Sequence, residues 1–157
     1  MLLIVWHSRT GASLALAKAA AAGAGNGARL LAASDAMPED LLGAGGYLFA
    51  CPENLATMSG AMKEMFDRCY YPMLGRIEGR AYATVIAAGS DGHGAQAQLD
   101  RIATGWRLRR VAEPMIVNLA AQSAQEIMAA KTVPGAVLIQ ARELGAGLAS
   151  GLEQGIF

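Results

Sequence analysis

Five short apolar runs, separated by helix-like segments, most constrain what this chain folds into. Each run is unbroken rather than alternating between apolar and polar residues, which is typical of strands buried on both faces of a sheet. The runs are LLIV at 2–5, ARLLAA at 28–33, GYLFAC at 46–51, AYATVIAA at 81–88 and MIVNL at 115–119. Because strand and helix alternate with short connections, the sequence predicts an α/β fold with a doubly wound parallel sheet.

The segments between the runs have helical patterns. SLALAKAAAA, at 13–22, consists mostly of strong helix formers. The segment 59–70 spaces its apolar residues three or four positions apart, and it pairs Lys63 with Asp67 at i,i+4. We expect two further helices over 95–106 and 135–152, and a short helix of about two turns over 34–45.

Composition limits the class of protein. The 157 residues are 54% hydrophobic, so we expect one domain over 1–157 that buries roughly 70% of the unfolded chain's surface. Thirteen basic residues balance thirteen acidic ones, which disfavours a nucleic-acid partner. The first apolar run precedes His7 and Arg9, the reverse of a signal peptide, and no run approaches the roughly 18 residues of a membrane span. Cys51 and Cys69 form no CxxC pair, so we expect reduced thiols in a cytoplasmic protein without a membrane partner.

In a doubly wound sheet, ligands bind beyond the carboxyl ends of the strands, where the strand order reverses. The loop after the first strand, HSRTGAS at 7–13, combines hydroxyl side chains with Gly11 at a helix start. A helix N-terminus binds anions because its first amides are unpaired. The loop matches neither a Walker sequence nor the dinucleotide fingerprint. It predicts a phosphate site or, alternatively, a simple helix cap made by Thr10 or Ser8.

Two further loops end at the same predicted edge. The second, PENLAT at 52–57, could offer backbone groups and Leu55 to a flat heterocycle, or it could be an ordinary connection before a helix capped by Ser59. The third, GSDGHG at 89–94, is flexible because of its glycines, and Asp91 could cap the following helix. A lone His93 in such a loop is more often a surface residue than a catalyst.

At these loops the chain resembles the flavodoxin-like superfamily, and above all its NAD(P)H-dependent FMN reductases and quinone oxidoreductases. The most specific element is PENLATMSGAMK at 52–63, which is similar to the family's proline loop followed by Met-Ser-Gly-x-Met-Lys. SRTGAS at 8–13 resembles the family's phosphate loop, and GSDGHG its glycine-rich loop beside the flavin. The resemblance covers nearly the whole chain and implies a three-layer α/β/α sandwich with a five-stranded parallel sheet in the order 2-1-3-4-5.

The resemblance also implies the cofactor and its ligands. FMN would be bound by Ser8, Arg9, Thr10, Gly11, Ala12, Ser13, Pro52, Glu53, Asn54, Leu55, Ala56, Thr57, Gly89, Ser90, Asp91, Gly92, His93 and Gly94. NAD(P)H would be the co-substrate, and a quinone, a flavin or a similar small molecule the electron acceptor. A homo-oligomer, dimer or tetramer, is implied as well, and the Tyr70-Tyr71-Pro72 segment is a plausible contact.

Three functions are compatible with these residues. The first is an FMN-binding oxidoreductase that transfers hydride from NAD(P)H through flavin to the acceptor, with no side chain assigned as catalytic and no metal site. The second is an electron carrier that does not react directly with NAD(P)H, which is disfavoured because the chain is neutral and its loops lack aromatic residues. The third is a flavin-free scaffold, which would not require polar and glycine residues in all three loops.

Two other motifs have simpler interpretations. GAGNG at 23–27 follows a helix rather than a strand, so it predicts a helix stop and turn instead of a nucleotide site. WRLRR at 106–110 predicts cations at a helix C-terminus or, alternatively, a contact with a partner or with the NADPH phosphate.

Overall fold

The computed structural model describes all 157 residues. Seven strands form: β1 (Leu2–Trp6), β2 (Ala28–Ala32), β3 (Gly46–Asn54), β4 (Thr57–Met58), β5 (Ala81–Ala88), β6 (Arg109–Arg110) and β7 (Met115–Asn118). Six α-helices form: α1 (Ala12–Ala24), α2 (Pro38–Gly43), α3 (Gly60–Met73), α4 (His93–Gly105), α5 (Ala124–Met128) and α6 (Gly135–Glu153). A 3-10 turn at Gly25–Gly27 confirms the predicted helix stop. No helix combines the length and the apolar character needed to cross a membrane.

The sheet follows the order β2-β1-β3-β5, and both β6 and β7 pair with β5 at the next position. These pairings are all parallel, which confirms the predicted architecture, with β2, β1, β3, β5 and β7 as the five expected strands. Seven strands are present because the edge strand is split and because β3 continues into an antiparallel hairpin with β4. The split lies at 111–114, where Pro114 has no N–H to donate to β5.

Each face of the sheet has its own hydrophobic core. Leu3 and Val5 of β1 join a cluster of 22 buried residues beneath α2, α3 and α4. Leu2 and Ile4 join a cluster of 15 buried residues beneath α1 and α6. Because alternate side chains point to opposite faces, a strand covered on both faces must be apolar throughout. This requirement explains the unbroken runs in the sequence.

Helices α1 and α6 approach each other closely at two glycines. A Cβ at Gly145 would overlap the carbonyl oxygen of Ala20, and a Cβ at Gly23 would overlap the carbonyl oxygen of Arg142. Close backbone approach of this kind is possible only where side chains are absent. The glycines therefore fix α6 against α1, on the face of the sheet beneath β1 and β3.

The position of α6 determines the path of the chain after β7. β7 is at the edge of the sheet, whereas α6 packs against α1. The connection 119–134 consequently runs back across the carboxyl edge of the sheet, past the start of α1, where Lys131 contacts Thr10. This return path adds a fourth segment to the three loops expected at that edge.

Candidate functional site

A cavity of about 490 Å³ lies at the carboxyl edge of the sheet, within the usual size range of small-molecule sites. It is lined by Ser8, Arg9, Thr10, Ala12, Ser13, Pro52, Glu53, Asn54, Leu55, Ala56, Ala87, Ala88, Gly89, Ser90, Leu119, Ala121, Ile127, Met128 and Lys131. All three loops that the sequence brings to this edge contribute to the lining. No aromatic side chain is among the lining residues.

The structure divides the predicted site residues into two groups. Those that line the cavity are Ser8, Arg9, Thr10, Ala12, Ser13, Pro52, Glu53, Asn54, Leu55, Ala56, Gly89 and Ser90. Those that do not are Gly11, Thr57, Asp91, Gly92, His93 and Gly94. The hydroxyl of Thr57 donates to the carbonyl of Asn54 in the hairpin, and Asp91 pairs with His93 on the exposed surface. The role of every one of these residues in holding a cofactor stays a prediction.

The first loop leaves the N-terminus of α1 uncapped by any side chain. Gly11 is the N-cap residue with a φ of 103°, a left-handed conformation that favours glycine. The Ser8 hydroxyl accepts the amide hydrogen of Gly11 at 3.1 Å, and neither Ser8 nor Thr10 caps the helix. The simple-cap interpretation of this loop is therefore wrong. The first amides of a thirteen-residue helix have no side-chain cap, and Ala12 and Ser13 in its first turn line the cavity. These amides are therefore available to an anion.

Two buried polar atoms in the lining have no partner within the protein. The Ser13 hydroxyl, in the first turn of α1, makes no hydrogen bond although the residue is only 1% exposed. The Nδ2 of Asn54, on the second loop, is also buried and unpaired. Unpaired buried polar groups are rare in proteins because each costs about 1–3 kcal/mol. A ligand that offers an anionic oxygen near Ser13 and an acceptor near Asn54 would satisfy both.

The second loop is a tight hairpin turn. Leu55 and Ala56, with φ of 52° and 64°, connect β3 to β4 in the left-handed region. Both positive angles are typical of a two-residue type I′ turn, which normally contains Asn and Gly. Each non-glycine residue there costs about 1–2 kcal/mol, and the Leu55 side chain is fully exposed. The sequence did not predict this turn because it contains neither Gly nor Asn.

Glu53 joins the second loop to the third. Its two carboxylate oxygens accept the amide hydrogens of Gly92 and Ala95, each at 2.9 Å, at the N-terminus of α4. A Cβ at Gly94 would overlap the carbonyl oxygen of Ala56, so the loops touch backbone to backbone. Asp91 accepts the His93 amide hydrogen at 3.3 Å, but the helix N-terminus is satisfied mainly by Glu53. The carboxylate therefore stabilises the shape of the cavity.

The connection after β7 forms a wall that the sequence analysis missed. Its contributions to the lining are Leu119, Ala121, Ile127, Met128 and Lys131. One local signal for α5 was present, since Ser123 and Glu126 form a capping box: the Ser123 hydroxyl accepts the Glu126 amide hydrogen and the Glu126 carboxylate accepts that of Ser123. That signal predicts a helix start, whereas the position of the helix beside the cavity depends on the packing of α6 against α1.

The remaining candidates are not among the residues that line the cavity. WRLRR is at the amino end of β5, where Arg109 and Arg110 form β6, so it does not reach the cavity at the opposite end of the sheet. His7 Nδ1 lies 2.8 Å from the Ser59 hydroxyl oxygen, and Ser59 does not cap α3 with its side chain. Cys51 and Cys69 are free and buried. Burial raises the pKa of Cys51 to about 12, which keeps this thiol protonated at neutral pH.

Solved structures with the same fold are numerous. An archaeal flavodoxin superposes with a TM-score of 0.79 at 14% identity, over 97% of this chain and 98% of the other. A WrbA-like flavodoxin from Agrobacterium tumefaciens gives 0.69 at 18% identity, over 98% and 97% of the two chains. The two-electron reduced flavodoxin of Megasphaera elsdenii gives 0.71 at 18% identity, over 96% and 99%. At these identities the likeness establishes the flavodoxin-like fold.

Sequence comparison identifies the family. No curated protein sequence matches this chain significantly. The family model of the NADPH-dependent FMN reductases matches residues 34–124, more than half of the 157 residues and including the second and third loops. The chain therefore belongs to the NADPH-dependent FMN reductase family, whose cofactor is FMN and whose electron donor is NADPH.

Proposed function

We propose that this protein is an FMN-binding oxidoreductase that transfers hydride from NAD(P)H through its flavin to a quinone, a flavin or a similar small acceptor. Family membership supports the cofactor and the electron donor. The observation that carries the proposal is the unpaired, buried Ser13 hydroxyl beside an uncapped helix N-terminus, inside a cavity formed by all three predicted loops. An uncapped helix N-terminus and an unpaired hydroxyl are hydrogen-bond donors of the kind that would bind the phosphate of FMN.

The residues present fit the cofactor at both of its ends. The amides at the start of α1, with the hydroxyls of Thr10 and Ser13, would bind the phosphate. Asn54 and the backbone of the hairpin turn would border the ring, and Gly89 with Ser90 would border its other edge. Gly89 also allows the connection after β7 to pass close to this loop, because a Cβ at Gly89 would overlap the carbonyl oxygen of Ala121. Each of these assignments is testable by substitution.

When bound, FMN supplies the redox chemistry by accepting a hydride from NADPH and passing two electrons to the acceptor. The protein's own residues orient the reactants and shape the electrostatics of the site. The Glu53 carboxylate is occupied by two amides of α4, and no histidine lines the cavity. We therefore assign binding and orientation to the lining residues and a catalytic acid or base to none of them.

The rim of the cavity favours a small apolar acceptor. Leu55, Ile127 and Met128 line the cavity and are 100%, 50% and 70% exposed. Large exposed apolar side chains around one opening are typical of a surface that a ligand covers. Since no aromatic side chain lines the cavity, a planar acceptor or a nicotinamide could stack on the open face of a bound flavin. This arrangement supports a reductase in preference to an electron carrier.

Self-association remains part of the proposal. Tyr71 is 79% exposed and Leu74 is 48% exposed at the C-terminal end of α3, next to the Tyr70-Tyr71-Pro72 segment expected to form a contact. Aromatic side chains are enriched in protein interfaces. Analytical ultracentrifugation of wild type and of a Tyr71→Ser variant would measure whether a homo-oligomer forms through this surface.

The decisive experiment is an anaerobic titration of the purified protein with FMN and then with NADPH. Saturable FMN binding followed by bleaching of the visible flavin absorbance is the expected result. Bound flavin that NADPH does not bleach, but that dithionite reduces, would replace the reductase with an electron carrier. A chain that does not change the absorbance or fluorescence of FMN would overturn the proposal and leave the flavin-free scaffold.

A further inference from the structure

The connection after β7 runs along the cavity as a strap attached at two points. We define the strap as residues 122–130, all of which are exposed. At one end the Ala121 amide donates to the Gly89 carbonyl at 2.9 Å, on the third loop. At the other end the Lys131 amide donates to the Thr10 carbonyl at 2.8 Å, on the first loop. The strap therefore joins the two loops on opposite sides of the predicted cofactor site.

The side chain of Lys131 folds back onto the strap. Its ammonium group donates to the carbonyls of Glu126, Ile127 and Ala129 at 2.6, 3.0 and 2.6 Å. An ammonium group has three donors, and all three are used here, so none is left for a ligand. Residue Lys131 is partly buried in the cavity wall. Its charge holds the C-terminal carbonyls of α5 together, and the backbone amide of the same residue makes the bond to Thr10.

The bond at Thr10 decides which way one peptide group of the first loop faces. In a trans peptide the carbonyl and the following N–H point in opposite directions. The Thr10 carbonyl is bonded to Lys131, and the Gly11 N–H is bonded to the Ser8 hydroxyl. Because glycine adopts many conformations, nothing intrinsic to Gly11 prevents this peptide from turning over. A carbonyl turned toward the anion site would repel a phosphate.

We propose that Lys131 is a positioning residue for the phosphate end of the cofactor. Through the strap it holds the Thr10 carbonyl away from the anion site, and so it sets the affinity for FMN without touching the phosphate. The inference rests on the proposed function, since it assumes that FMN occupies the cavity. Nothing in the sequence motif of the first loop indicates this role, because Lys131 is more than a hundred residues further along the chain.

The test compares FMN with riboflavin, which lacks the phosphate. Lys131→Met removes the ammonium group, and Lys18→Met removes an exposed lysine of α1 that forms no ion pair, as the matched control. We expect Lys131→Met to weaken FMN binding about tenfold and riboflavin binding less than about twofold. Lys18→Met should leave both affinities within about twofold. Lys131→Arg, which keeps the charge and the donors, should restore most of the FMN affinity.

Three outcomes would overturn the proposal. Equal losses for FMN and riboflavin would indicate general damage to the fold. No loss for either flavin would remove the role of Lys131. A loss for FMN that disappears between about 0.05 and 0.5 M sodium chloride would indicate direct attraction of the phosphate by the lysine charge.

A measurement on the ligand-free protein separates this inference from the proposed function. If wild type binds neither flavin, the proposed function fails. The attachment of the strap is then tested by amide hydrogen exchange of residues 8–13, which should be faster in Lys131→Met than in wild type or Lys18→Met. Unchanged exchange in that segment would refute the positioning role whether or not FMN binds.

Discussion

The carboxylate of Glu53 accepts the amide hydrogen of Gly92 at 2.9 Å, joining two residues that are 39 positions apart in the chain. Gly92 is the N-cap of α4, with a φ of 104°. A carboxylate at this position satisfies helix amides and interacts favourably with the positive end of the helix. A side chain of the second loop thus provides most of the cap of α4, which begins in the third loop.

Glu53→Gln should destabilise the protein. The amide side chain carries no charge and presents an N–H₂ group to one of the two helix amides, so one hydrogen bond is lost and the other is weakened. We expect a loss of about 1–3 kcal/mol in the free energy of unfolding, measured by urea denaturation. Glu113→Gln, at an exposed position without an ion pair, is the control and should change stability by less than about 0.5 kcal/mol. Similar losses in both variants would contradict the capping role.

Ser13→Ala should separate ligand binding from stability. The unpaired hydroxyl costs stability in the empty site but would bond to an FMN phosphate. We expect FMN affinity to fall by about tenfold or more, riboflavin affinity to be unchanged, and the midpoint of thermal unfolding of the ligand-free protein to be unchanged or higher. The exposed Ser34→Ala is the control. Retention of full FMN affinity would place the phosphate elsewhere.

The close contact between α1 and α6 predicts opposite effects for two glycines of the same helix. At Gly145 a methyl group would overlap the carbonyl oxygen of Ala20, whereas at Gly147 it would meet open space. Gly145→Ala should cost about 1–3 kcal/mol, and Gly147→Ala should stabilise by about 0.5–1 kcal/mol through helix propensity. Thermal unfolding of both variants checks the prediction, and a stable Gly145→Ala protein would mean that the helices are further apart.

The apolar rim predicts selectivity between acceptors. Ile127→Ser should raise the KM for an uncharged quinone about fivefold, since about 1 kcal/mol of apolar contact is lost. The KM for ferricyanide, a small anion, should stay within about twofold. Ile139→Ser on α6 is the matched control, because Ile139 is 58% exposed and does not line the cavity. Equal effects of the two variants on the quinone KM would exclude a role of the rim.

The lowered pKa of His7 predicts that the stability of the protein depends on pH. Burial, reinforced by the nearby Arg9 guanidinium, lowers the pKa of His7 below its usual 6.5. As the pH falls through about 6.5, the unfolded chain therefore binds a proton before the folded protein does. The stabilisation associated with neutral His7 is full above that pH and is lost as the pH falls toward the folded pKa.

His7→Gln should reduce the slope of the unfolding free energy against pH between about pH 7 and 5. Wild type, measured in parallel, provides the reference slope. Urea denaturation across this pH range measures both slopes. A wild-type slope in His7→Gln would show that other groups cause the acid sensitivity.

The sequence determined the layers of the fold and the edge of the sheet where the cavity lies. β5 coincides with the predicted run at 81–88, and the i,i+4 pair of Lys63 and Asp67 forms at 2.6 Å on α3. These features depend on residues close together in the chain, and the spacing of apolar residues indicates directly which of them are buried. The parallel order of the strands then places the three loops at one edge without knowledge of any side-chain contact.

Tertiary structure alone decided how those loops are held. The Glu53 cap of α4, the attachment of Lys131 to Thr10 and the outward pairing of Asp91 with His93 leave no periodic signature in the sequence. The first two join segments that are distant in the chain. The Glu53 cap forms because β3 and β5 are neighbours in the sheet and α4 packs against the β3–β4 hairpin. Lys131 meets Thr10 because α6 packs against α1 while the chain leaves β7 at the sheet edge. The local spacing of apolar residues indicates which residues are buried. Only the packing of whole helices and strands determines which distant polar groups come into contact.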